Sequence, residues 1–176
     1  GQLLGEGAIG LALVGVFIAT IAVLVALVGL SAFQARRFPR LVWAAFAIPA
    51  LGACISMVGL IGMATNGDER FVGDASAWMV WSIGLVTMVA GSALFGIATW
   101  RARYLSRSAA ALLGVGAIFV IPMIGGLDFL AFLPESLAPV MTLVAILAFA
   151  GGWVGLGISA LRITGPNPIK LEGASL

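Results

Sequence analysis

Chemistry in a protein begins with side chains that ionise, attack or ligate, and this chain has few of them. Its 176 residues include no histidine, one cysteine, seven acidic and nine basic residues. Without histidine, the usual zinc ligand sets, a histidine-ligated haem and Ser–His catalysis all lack a required part. Cys54 lies midway along an apolar run, where its surroundings leave a thiol unreactive, and alone it forms no internal disulfide. Gly152, Gly155 and Gly157 sit within another apolar run rather than after a strand, so they do not read as a dinucleotide-binding turn.

The acids are equally sparing. Asp128 follows Gly125-Gly126 at the end of an apolar stretch that contains Pro122. It reads as a carboxylate solvated at the headgroup level, and it is the one candidate for a polar site on that face, contacting a cation or ligand beside a proline kink. Asp68, Glu69 and Asp74 are spaced acids in the segment 66–74. They lack the twelve-residue ligand pattern and closing Glu of a calcium loop, so a solvated turn is expected. The acidic face they share with Asp128 offers electrostatic docking to a basic partner. These residues predict no catalytic group, no metal and no cofactor, and hence a protein that is not an enzyme.

The elements that carry these residues follow from hydropathy. Of the residues, 62% are hydrophobic and 9% charged, with a mean hydropathy of +1.18. A water-soluble domain carries about 25% charged residues, so the expected solvent for most side chains is lipid. Five stretches reach the roughly 20 apolar residues that a spanning helix needs: about Ala8–Ala32, Leu41–Ala64, Ala77–Thr99, Ala109–Leu127 and Leu137–Leu161. The first is longer than a signal-peptide core and reads as a span. Removal of an initiator Met before Gly1 is the simple expectation at the N-terminus; a preceding segment would change the helix count. Backbone polar groups in lipid require helices, and the alternating ten-residue segments of a barrel are absent. The fold class is therefore an all-α integral membrane protein, a single five-helix domain over residues 1–162. A short tail, 163–176, is turned out of the last helix by Gly165-Pro166-Asn167-Pro168.

Charge orients the bundle. With five spans, Arg36, Arg37, Arg40, Arg101, Arg103, Arg107, Arg162 and Lys170 share one side with Glu172. Arg70 shares the other with Glu6, Asp68, Glu69, Asp74, Asp128 and Glu135. Basic loops are retained in the cytoplasm, which predicts an N-terminus outside and a C-terminus inside. Four or six spans would scramble this partition. Trp78 and Trp81 fall at the outer boundary and Trp43 and Trp100 at the inner, as interfacial aromatics do, whereas Trp153 lies deeper as a packing residue. The six arginines of the two inner loops, Arg36, Arg37, Arg40, Arg101, Arg103 and Arg107, are candidate contacts for anionic lipid headgroups. The same boundary charges account for the basic pI without a nucleic-acid partner. The preference for arginine over lysine, with abundant Ala, Gly and Val, is associated with a GC-rich bacterial genome, and so with a bacterial cytoplasmic (inner) membrane.

Helices in lipid associate through close packing of small residues. Such residues recur at steps of three and four in the first helix (Ala12, Gly15, Ala19, Ala22, Ala26, Gly29), the second (Ala45, Pro49, Gly52, Ser56, Gly59) and the fifth (Ala145, Ala148, Gly152, Gly155, Ser159). The third and fourth are less regular. This heptad-like seam favours shallow left-handed crossings. Small loops, small-residue faces and the near-absence of ionisable groups within the spans predict a non-catalytic accessory or assembly subunit of a larger bacterial membrane complex, of respiratory or photosynthetic type, with membrane lipids and other membrane subunits as partners. The alternative is a carrier or binding protein for a lipid, quinone or other apolar small molecule, in which Pro49 and Pro122 permit a flexible pocket.

Overall fold

A computed structural model of the chain describes residues 2–35, 39–66, 70–103, 105–124 and 137–164. They form five helices, as hydropathy predicts: α1 (Gln2–Ala35), α2 (Pro39–Asn66), α3 (Ala77–Ala102), α4 (Arg107–Ile124) and α5 (Ala138–Thr164). α1, α2, α3 and α5 each hold an apolar segment long enough to cross a membrane; the apolar part of α4, Arg107–Pro122, is shorter. The remainder of the fourth expected span, beyond Ile124, lies outside the described residues, as do Asp128, Arg36, Arg37 and residues 165–176.

The helices overrun the boundaries that hydropathy set. α1 continues through Gln34, which the sequence assigned to a connection, and α3 continues through Arg101. Hydropathy marks where apolar side chains stop, whereas a helix stops where its backbone is capped or turned. α3 shows both ends. It opens on Ser76, whose hydroxyl accepts from the Met79 amide at 3.2 Å, and it closes on Arg103 in the left-handed region, at φ 55° and ψ 22°. Before it, β1 (Arg70–Val72) and β2 (Ala75–Ser76) form a small antiparallel hairpin. Gly73, at φ +60°, supplies the first turn position of the type II′ pattern. The segment expected as a simple solvated turn is thus partly ordered as a sheet.

Helices adjacent in sequence lie side by side, with the most extensive contact between α2 and α3, followed by α4 with α5 and α3 with α4. Backbone proximity explains the strength of the α2–α3 seam. A β-carbon on Gly52 would stand 2.2 Å from the Met88 nitrogen, and one on Gly59 would stand 2.3 Å from that of Trp81. From the other side, β-carbons on Gly84 and Gly91 would stand 2.2 and 2.4 Å from the Ser56 and Pro49 nitrogens. Each step of three or four residues along α2 is answered by the same step back along α3, the register of an antiparallel pair with glycines seven apart on both helices. α2 runs continuously through Pro49, whose ring lies where Gly91 has no side chain. The α4–α5 seam repeats the device: β-carbons on Gly116 and Gly152 would stand 2.4 Å from the Phe149 nitrogen and 2.6 Å from the Leu113 backbone.

The larger core cluster joins Leu27 and Leu30 of α1, Ala45 of α2, Phe95 and Ala98 of α3, Leu113 of α4, and Trp153 and Leu156 of α5. It lies toward the end of the bundle where α1 passes to α2 and α3 to α4. Phe95 and Trp153 stack there at 5.6 Å, which makes Trp153 a packing residue. A smaller cluster of Ala53, Met88, Val89, Ala93 and Ala117 continues the core toward the opposite end.

Candidate functional site

Arg101, Arg103, Arg107 and Arg162 gather at the end of the bundle where α3 passes to α4 and α5 finishes, and all four are exposed. Arg40 lies in the first turn of α2. The turn that brings α4 back is built by serines. Ser106 donates its amide to the Ser159 hydroxyl of α5 at 2.9 Å. Its own hydroxyl accepts from the Ala109 amide at 3.4 Å and pairs with Ser108 Oγ at 2.9 Å. Ser106 is therefore the N-cap of α4, tied laterally to α5.

Between these two helices lies a groove of about 440 Å³ lined by Ser106, Ser108, Ala109, Leu112, Gly151, Gly155, Ile158, Ser159 and Arg162. Its residues divide by chemistry. Ser106, Ser108, Ser159 and Arg162 occupy the end near the helix termini, and Leu112, Gly151 and Gly155 lie further along. A shallower and wholly apolar depression of about 200 Å³ runs along α3 and α4 past Gly96, Trp100 and Gly114.

A second polar feature is internal. Gln34 Nε2 of α1 donates to Thr99 Oγ1 of α3 at 3.0 Å, and both residues are buried. The neighbouring Ser31 hydroxyl is buried with no hydrogen-bond partner among the described residues. Sequence reasoning missed this pair because it placed Gln34 in a loop; a polar residue four positions beyond Leu30, on the same helical face, was the available signal.

The small residues singled out from the sequence fall into two groups. Gly52, Ser56 and Gly59 face α3, and Ala148, Gly152 and Gly155 face α4. Ala26 is half-buried against the main core. Gly15, Ala19 and Ala22 are exposed, and a β-carbon on Gly15 would meet nothing within 4 Å. Among the described residues nothing packs against that part of the stripe. α1 turns inward instead through Thr20, Leu27, Leu30, Ser31 and Gln34. Conversely Gly84 and Gly91, on a helix whose pattern looked irregular, make two of the closest backbone approaches.

On the far side of the bundle, Trp78 is about half exposed, and an exposed Arg70–Asp74 pair spans 3.8 Å across the hairpin turn. Phe71 reaches back to Gly62 of α2. Cys54 is exposed on the outside of α2. No group of three or more potential metal ligands occurs among the described residues. No protein-family model, curated protein or solved structure matches this chain.

Proposed function

We propose that the protein is a multi-pass membrane protein of the bacterial cytoplasmic membrane, its arginine-bearing end inside, serving as a non-catalytic accessory or assembly subunit of a larger membrane complex of respiratory or photosynthetic type. The observation that carries this reading is the unpartnered small-residue face of α1. A glycine inside a helix costs roughly 0.5–1 kcal/mol relative to alanine. In α2 to α5 most such glycines meet a neighbouring backbone closely. In α1 the same residue type stands at Gly10, Gly15 and Gly29 with nothing opposite among the described residues, and Ala19 and Ala22 lie on the exposed surface beside exposed Leu11, Val14, Ile18 and Val25. A second helix, supplied by another subunit, supports close packing there as Gly84 and Gly91 do inside the chain.

The test is purification in a mild detergent followed by native electrophoresis and mass spectrometry. The expected result is a stoichiometric assembly with a larger chain, which Ala19→Leu together with Ala22→Leu disperses while the helical content is retained. A lone monomer under the same conditions, indifferent to those substitutions, contradicts the reading.

A further inference from the structure

The groove between α4 and α5 has a polar end and an apolar end in the order a phospholipid has them. At the polar end, Ser106 and Ser108 share one hydrogen bond. Whichever oxygen donates, one hydroxyl proton of that pair is left over. Ser159 accepts the Ser106 amide on one oxygen lone pair and keeps its own proton as a donor. With Arg162, which lines the same groove, these are donors from two helices, and an anionic phosphate oxygen is the acceptor that suits them. Further along, Gly155 lets α5 close on Ala109 of α4, and Gly151 leaves space that a larger side chain would fill, bordered by Leu112 and Ile158, both more than two-fifths exposed. A β-carbon on Gly151 would meet only the tip of Leu112, at 3.3 Å.

We infer that this groove holds one anionic phospholipid, with its phosphate on Arg162 and the serine hydroxyls and the start of an acyl chain along Leu112, Gly151 and Ile158. The inference rests on the membrane placement proposed above, and it is more specific than headgroup attraction to the inner arginines, because it requires both halves of one groove. A free phosphate would satisfy the polar half alone; a lipid uses both.

Native mass spectrometry of the detergent-purified chain tests it, with phosphatidylglycerol, phosphatidylcholine and inorganic phosphate added separately. Wild-type protein retains one phosphatidylglycerol in preference to phosphatidylcholine. Arg162→Gln lowers that retention about tenfold, the effect of losing one charge-assisted hydrogen bond. Gly151→Leu lowers it comparably by filling the apolar half. Arg70→Gln, the same loss of charge on the hairpin at the far end of the bundle, leaves it unchanged, and circular dichroism confirms that each variant stays helical. Retention equal in wild type, Arg162→Gln and Gly151→Leu overturns the inference. So does inorganic phosphate binding that Gly151→Leu does not weaken, since the site would then recognise the anion alone. A chain that purifies without detergent removes the membrane reading itself, a different failure from a detergent-requiring chain whose groove binds nothing.

Discussion

A β-carbon on Gly84 would stand 2.2 Å from the amide nitrogen of Ser56. No side chain moves to relieve that approach, because both sides of it are helix backbone. The α2–α3 seam therefore depends on hydrogen atoms at Gly52, Gly59, Gly84 and Gly91. Gly84→Ala should force the helices apart and cost about 3 kcal/mol, at the upper end of the range for overpacking. Unfolding in an SDS titration followed by circular dichroism measures this; an unchanged midpoint would show that the seam is looser than described.

Gly15→Leu is the matching control. The site is open, so the substitution should leave the isolated chain as stable as before, or more stable by about 0.5–1 kcal/mol from helix propensity. The same titration reads it. Two glycines with the same local sequence character thus give opposite outcomes, and only their neighbours differ.

The buried Gln34–Thr99 hydrogen bond links α1, the most loosely held helix, to α3. Hydrogen bonds between helices in a membrane average about 0.6 kcal/mol and reach about 1.7. A double-mutant cycle of Gln34→Met and Thr99→Val should give a coupling in that range. Additive single effects would mean that the two side chains do not bond in the folded chain.

Asp74→Asn should leave stability and helical content unchanged. Its partner Arg70 and Asp74 itself are almost fully exposed, and such pairs are screened by water and salt. A measurable fall in the thermal midpoint would instead give the hairpin a part in holding α2 against α3.

How much of this was legible beforehand depended on the length scale of each signal. The helix count came from runs of about twenty apolar residues and is the same among the described residues. Gln34 was misplaced because a single polar residue after an apolar run looks like the start of a loop, whereas burial against Thr99 keeps it helical. The stripe of Gly15, Ala19 and Ala22 and the pair Gly84 and Gly91 show the limit of periodicity. A pattern along one helix says that a face is smooth, but which neighbour meets it is decided by the rest of the bundle. The groove at Ser106, Ser108, Ser159 and Arg162 was invisible for the same reason, since its two sides are some fifty residues apart in sequence. Ser106 ahead of an apolar run was the only local hint, as a helix cap.

The central claim is that these helices cross a membrane with the arginine-bearing turns inside. Single cysteines placed at Asp74 and at Arg103, in a chain carrying Cys54→Ser, can be probed in intact cells with a membrane-impermeant maleimide. Labelling at position 74 without permeabilisation, and at position 103 only after it, is the predicted result. Labelling at 103 from outside, or a chain recovered in the aqueous fraction, would contradict the account.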